Sequence, residues 1–376
     1  MDNNINIYLD TIVFRIQNFG GASTYWKELL SNFIQLKHIN IIVQSDNINE
    51  LNNDGQYILK SINDSNKLLV EKTLPASILR YLPFTRRLPA KSIYHSSYYR
   101  TCFQKNVINI FTVHDFTHNR GLASKFPRKL VHIGLTSLGL INANGIICIS
   151  ENTKRDLMHF FPKISENKIR VIYHGISEDF FPIKKTPDVY FKGLFHLDNP
   201  YVIFIGKRAG YKKFDIVVEA IKNVDNMKLI IVGGGSLSVS ESMHLNKNIP
   251  NKYFKIDNLD NSDLNILYNH AYSLIYPSIY EGFGIPILEA MKAGCPVITN
   301  NLSSIPEVAG DAALIISEIT SESILNKIYL LRNLDFRKSL IKKGLLQSEK
   351  FTWEKCFLET YQFYKEIYEK KFGRYC

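Results

Sequence analysis

The stretch Tyr276-Pro-Ser-Ile-Tyr-Glu-Gly-Phe-Gly-Ile-Pro-Ile-Leu-Glu-Ala-Met-Lys-Ala-Gly-Cys-Pro-Val-Ile-Thr299 places two carboxylates, Glu281 and Glu289, on either side of a glycine-rich turn that runs into a helix. Pro286 suits the first helical turn, where its missing N–H costs nothing, and Gly282 and Gly284 let the backbone approach a ligand closely. A helix that starts this way offers the N–H groups of Phe283, Gly284 and Ile285 to an anion. In isolation such a glutamate pair is more often solvated, because charged side chains are mostly exposed. Flanking an anion pocket, the same pair suits a phosphorylated polyol such as a nucleotide sugar.

The surrounding chain supports that setting. Apolar, β-branched runs at Ile5–Leu9, Ile39–Val43, Ile93–His95, Val107–Val113, Gly145–Ser150 and Lys168–Tyr173 read as strands, with helices at Thr24–Leu36 and Asn152–Phe161. The second half repeats the scheme at Tyr201–Gly206, Lys228–Gly233, Tyr253–Ile256, Tyr272–Tyr276, Pro296–Thr299 and Ala313–Ile316, with helices near Phe214–Ile221, Asp263–Ala271 and Pro286–Lys292. Buried strands spaced by helices predict parallel sheets covered on both faces. A length of 376 residues exceeds what one hydrophobic core usually supports. Two doubly wound α/β domains are expected, 1–185 and 186–354, the seam falling in a proline-bearing stretch between Phe180 and Pro200.

Composition narrows the classes. The five cysteines show no C-x-x-C spacing, which argues against a disulfide framework and against zinc. Met1 to Asn6 lack the regions of a signal peptide, and no apolar run approaches a membrane span, so a cytoplasmic protein is expected. The surplus of 46 Lys and Arg over 35 Asp and Glu gives a net charge of +11. Arg80, Arg86, Arg87, Lys91, Arg100 and Lys105 crowd one segment together with Leu79, Tyr81, Leu82 and Phe84, a pattern open to a solvated face or to peripheral contact with an anionic membrane. No nucleic-acid-binding signature is present.

Four further segments carry chemistry. Phe19-Gly20-Gly21-Ala-Ser-Thr-Tyr25 opens a helix after the first strand, where paired glycines allow close approach to phosphate or sugar. His114 and Asp115 end the strand Val107–Val113 at the carboxyl edge of its sheet, a place for either a hydrogen-bonded structural histidine or a site residue. Ile205-Gly-Lys-Arg-Ala-Gly-Tyr-Lys-Lys-Phe-Asp215 sets four cations after a buried strand, and Arg208 with Lys212 suits a diphosphate. Ser150 reads as a helix N-cap without a catalytic role.

Taken in order, these segments resemble the retaining glycosyltransferases of family 4. The quoted stretch resembles their E-x-x-x-x-x-x-x-E signature, Thr112-Val-His-Asp-Phe116 their T-V-H-D segment, Gly20-Gly21 their N-terminal glycine loop, and Gly206–Lys212 their phosphate-binding segment. The resemblance implies the GT-B architecture: two Rossmann-like domains with the donor between them, and a C-terminal helix, about 355–376, returning to the first. It implies transfer of a hexosyl unit, mannose-type on guanosine diphosphate being favoured, to a saccharide or lipid-linked saccharide hydroxyl in surface polysaccharide (O-antigen, lipopolysaccharide) synthesis. His114 would contact the transferred sugar, Arg208 and Lys212 the phosphates with Lys213 beside them, Leu259 of Asp257–Asn261 the base, Glu281 the sugar hydroxyls and Glu289 the ribose; Asp115 would orient His114 or meet the acceptor. The chain contains no D-x-D, so neither a metal nor another cofactor is expected. A nucleotide-sugar epimerase of the same fold and a non-catalytic saccharide-binding protein are the alternatives.

Overall fold

The computed structural model describes residues 5–17, 20–36, 38–43, 48–62, 67–71, 74–122, 128–184, 190–197, 199–208 and 210–373. The expected boundary at 185/186 lies outside the described residues, as do Phe19 and Cys376. The chain divides into two compact units, 1–175 with 353–376, and 176–352.

Among the described residues the first unit holds seven strands: β1 (Ile7–Asp10), β2 (Ile39–Val43), β3 (Leu68–Val70), β4 (Ser92–Ser96), β5 (Val107–Val113), β6 (Gly145–Cys148) and β7 (Ile169–Val171). All neighbours pair in parallel, in the order β3-β2-β1-β4-β5-β6-β7. Every residue of β5 is buried, as a strand covered on both faces requires, and its two polar members, Asn109 and Thr112, are hydrogen-bonded. The helices Gly21–Phe33 and Trp353–Phe372 close one face: Phe33 meets Phe357 edge-on at 5.0 Å and stacks on Tyr364 at 5.5 Å. The aromatic spacing of the last helix is thus core packing, and it attaches the end of the chain to the first unit.

The second unit starts with a short antiparallel hairpin, β8 (Tyr190–Phe191) and β9 (Phe195–His196). Its sheet contains β10 (Tyr201–Ile205), β11 (Lys228–Val232), β12 (Tyr253–Ile256), β13 (Ser273–Tyr276), β14 (Val297–Asn300) and β15 (Leu314–Ile316), all parallel, in the order β12-β11-β10-β13-β14-β15. The second unit captures the chain ahead of the proline-bearing stretch. Ile176 N–H donates to the Phe351 carbonyl at 3.2 Å, and Asn265 and Asn269 accept the Phe181 and Ile183 N–H groups at 3.1 and 2.8 Å.

Among the features beyond the sequence reading are β3, the β8–β9 hairpin and the helix Arg128–Asn142. The first two are too short to show a period. In the helix, Leu130 and Ile141 are 59% and 67% exposed, so apolar residues lie on its outer side as well as its inner one. Among the described residues no helix is long and apolar enough to cross a membrane.

Candidate functional site

The order of the second sheet reverses between β10 and β13, and in a parallel sheet the loops at the carboxyl ends of two such strands part to leave a crevice. Lys212, after β10, reaches across this point. Its ammonium donates to the Glu281 carboxylate and to the Tyr276 hydroxyl (3.2 Å), and lies 5.0 Å from the centroid of the Tyr276 ring. The side chains of Lys212 and Glu281 are 12% and 13% exposed, so the pair is shielded without being sealed. A single turn at Gly210–Lys212 delivers the lysine, and the Ile279 N–H ties the two loops together by donating to the Tyr211 carbonyl at 2.9 Å. Lys213 follows in a left-handed conformation, φ 56°, and begins the helix Phe214–Lys222.

Glu281 is fixed from behind. Its N–H donates to Ser303 Oγ at 3.0 Å, and the Ser304 hydroxyl lies 3.0 and 2.7 Å from the carbonyls of Glu281 and Phe283. Phe283 is buried against Phe351. Gly284 adopts φ 114°, a region hostile to side chains, and turns the chain into the helix Ile285–Lys292 with Pro286 in its first turn. No side chain caps this helix, so its positive end stays directed at whatever occupies the loop mouth.

Glu289 lies at the start of the second turn, where the Tyr268 hydroxyl donates to it at 3.2 Å. Burial pushes its carboxyl up to about 7. Tyr276 is kept protonated by burial and by Glu281, and Tyr268 by burial and by Glu289. Each acid is thus paired with a protonated tyrosine, Glu281 with Tyr276 and Glu289 with Tyr268. Tyr268, Tyr276, Ser303 and Ser304 were not anticipated, although Tyr276 stands at the head of the decisive stretch.

Arg208, expected at the donor phosphates, packs against the loop after β11. Its Nε donates to Glu241 at 2.6 Å, Nη1 to the Gly233 carbonyl at 3.2 Å, and Nη2 to the carbonyls of Gly235 and Ser236 at 3.1 and 3.0 Å. The guanidinium thereby folds the loop after β11 around itself. A Cβ on Gly234 would sit 2.4 Å from the Gly206 carbonyl oxygen and 2.8 Å from Arg208 Nη1, which accounts for glycine there. The Arg208 hydrogen bond, chiefly, draws the Glu241 carboxyl down to about 2. Glu241 also completes a capping box with Ser238, and the Ser238-x-x-Glu241 spacing was the available signal for it. Leu259 is part-buried in the loop after β12, beside Asp260, which caps the helix Asn261–His270.

In the first unit, Gly20 begins the helix Gly21–Phe33 with φ 150°, and both Gly20 and Gly21 are exposed. His114 follows β5 with its ring edge-on to Tyr25 at 5.2 Å and 5.8 Å from His174; Tyr25 stacks on His174 at 4.9 Å. Burial lowers the His114 pKa to about 4, so the imidazole is neutral near pH 7. Asp115 is exposed and closes its own turn, accepting from the Thr117 N–H at 2.8 Å and hydroxyl at 2.6 Å. Behind them His95, whose pKa burial lowers to about 3, bonds Tyr364 of the last helix and Thr112 Oγ1 (2.9 Å). Where the first sheet reverses, between β1 and β4, buried Asp10 accepts from Ser96, Ser97 and Tyr94. Polar residues at strand ends left no spacing by which to find this network.

Comparison with known proteins agrees with this geometry. The family model described as Glycosyltransferase Family 4 matches residues 19–180, and that described as Glycosyl transferases group 1 matches 187–346. The O-antigen chain mannosyltransferase B of Escherichia coli is 42% identical over 106 residues, 27% of either chain. The O-antigen chain mannosyltransferase RfbU of Salmonella typhimurium is 28% identical over 196 residues, 51% of this chain and 52% of that one. The matched stretches thus span about a quarter and about half of these relatives' length. The structure of sucrose-phosphate synthase from Thermosynechococcus elongatus superposes with a TM-score of 0.73 at 18% identity, covering 97% of this chain and 99% of that one. The chain belongs to the family 4-like glycosyltransferases of the GT-B fold.

Proposed function

We propose that the protein transfers a hexosyl unit, with retention of configuration, from a nucleoside diphosphate sugar to a hydroxyl of a saccharide or lipid-linked saccharide. The observation that carries this is the Lys212–Glu281–Tyr276 cluster at the reversal point of the second sheet, beside the uncapped start of the helix Ile285–Lys292. The bond that breaks joins the anomeric carbon to the diphosphate oxygen, and charge builds on both as they part. Lys212 and the amides near Gly284 receive the negative charge. Glu281 takes the sugar hydroxyls, Glu289 the ribose, and neutral His114 donates to or accepts from the transferred sugar. The acceptor hydroxyl attacks the same face and passes its proton to a donor phosphate oxygen. Arg208 contributes by shaping the loop after β11, with Lys213 and Leu259 lining the remaining edge.

The mannose-type sugar on guanosine diphosphate is favoured by the likeness to two O-antigen mannosyltransferases. A fixed ammonium and a helix terminus do the neutralising that a divalent ion performs elsewhere, so the reaction proceeds without metal. Calorimetric titration of nucleoside diphosphates into the full chain tests the assignment. A ligand that binds only the folded state also raises its melting temperature in proportion to the logarithm of concentration over Kd. Binding that weakens in Lys212→Met and in Glu289→Ala is expected; binding of nucleoside diphosphate unaffected by either contradicts the site.

A further inference from the structure

Between residues 72 and 150 the chain carries eleven Lys and Arg and a single acid, Asp115. This span therefore holds a net +10 of the chain's +11, although it is about a fifth of the sequence. Arg100 is neutralised inside the fold by a two-pronged contact with Glu71 at 2.7 and 2.6 Å. Arg86, Arg87 and Lys91, in contrast, are exposed.

The same span exposes apolar side chains. Ile78, Tyr81 and Leu82 are 51%, 36% and 39% exposed at the end of the short helix Ala76–Leu79, above a groove of about 740 Å³ lined by Leu74, Leu79, Pro83 and Arg86. In the helix Arg128–Asn142 no residue from Leu130 onward carries a charge, and Leu130, Leu138 and Ile141 are 59%, 43% and 67% exposed. A helix on a water-facing surface ordinarily turns polar residues outward. Contacts running inward tie the basic segment to the helix: Arg80 lies over the Tyr81 ring at 4.5 Å and the Tyr98 ring at 5.8 Å, Tyr98 packs on Tyr99 at 4.3 Å, and Tyr99 bonds Thr136 on the buried side of the helix.

We infer that this face of the first unit docks on a bilayer containing anionic lipids. Cations draw it to phosphate headgroups, while Leu, Ile and Tyr enter the boundary between headgroups and acyl chains. A second copy of the chain fits poorly, since two such faces repel each other. Nucleic acid would engage the cations and leave the aliphatic side chains without a role.

Sedimentation of the full chain with vesicles tests this, using phosphatidylcholine alone and phosphatidylcholine with phosphatidylglycerol. The protein is expected to sediment with the anionic vesicles and not with the neutral ones. Arg86→Ala with Arg87→Ala lowers partition roughly 25-fold, taking about fivefold per cation. Leu138→Asp with Ile141→Asp also lowers it, with the melting temperature kept to confirm folding, whereas Lys338→Ala with Lys342→Ala in the second unit leaves it unchanged. Absence of binding, equal binding to both vesicle types, or indifference to the aspartate pair would overturn the inference; the last would mark a purely electrostatic surface such as one for nucleic acid. No donor or acceptor enters the measurement, so a negative result leaves the proposed chemistry untouched.

Discussion

Replacing Glu241 tests the loop that Arg208 gathers after β11. Glu241→Ala removes the 2.6 Å bond from Arg208 Nε, the acceptor of the Ser238 N–H at 2.7 Å, and the countercharge to a guanidinium only 3% exposed. The cap contributes about 1 kcal/mol and the charge-assisted bond about 1.5–3 kcal/mol. Glu241 is itself 28% exposed, so water screens part of the second contribution. A total near 2–3 kcal/mol follows, on the order of a 4–12 °C drop in the melting midpoint of a unit this size. Glu241→Gln keeps the capping box, because glutamine serves at that position, and removes only the charge, so roughly half the loss is expected. Differential scanning calorimetry gives the midpoints, and titration with nucleoside diphosphate shows whether the loosened loop also weakens binding. An alanine variant within about 1 °C of the parent would refute the clamp, because the worked contributions leave no room for so small a change.

The two units are expected to respond to pH in opposite directions. His95 and His114 have folded pKa values of about 3 and about 4, below the ordinary value of 6.5, so the unfolded chain binds more protons once pH falls below 6.5. Stability of the first unit is thus complete above that pH and is lost on acidification, by about 4 kcal/mol for the pair at pH 5. Glu289 does the reverse: its folded pKa of about 7 exceeds the ordinary 4.5, so the folded second unit holds the extra proton between these values and loses stability as pH rises through them. The cost above pH 7 is about 3 kcal/mol, and Glu289→Gln should remove this slope in calorimetric scans across pH. Tyr364→Phe strips buried His95 of a partner and should lower stability by about 1–3 kcal/mol, measurable by urea titration. Lys212→Met and Glu281→Gln should each lower turnover about 10²–10³-fold, with a smaller change in donor affinity for the glutamine variant.

Most of the fold was legible because both sheets are parallel and buried on two faces, which writes each strand as an apolar run. Val107–Val113, Ile39–Val43 and Tyr253–Ile256 occupy the ranges read from sequence. The helix Arg128–Asn142 was not read from sequence; exposed Leu130, Leu138 and Ile141 extend its apolar residues beyond the inward face. At the site, Glu281, Lys212 and the glycine turn could be named from residue type and order alone. Their partners Ser303 and Ser304 could not, since they come from the loop after β14, brought close by the strand order. At Arg208 the cation after a buried strand could be named, whereas the carboxylate of Glu241 and the carbonyls of Gly233, Gly235 and Ser236 that accept from it could not.

Release of nucleoside diphosphate, followed for the full chain with GDP-mannose and a panel of other nucleoside diphosphate sugars, in the presence and absence of a saccharide acceptor and with chelator throughout, tests the account most directly. Acceptor-dependent release that disappears in Lys212→Met, yielding a product with the donor's anomeric configuration, is the predicted result. Conversion of the donor sugar without any acceptor, or no release and no binding of any nucleotide, would contradict it.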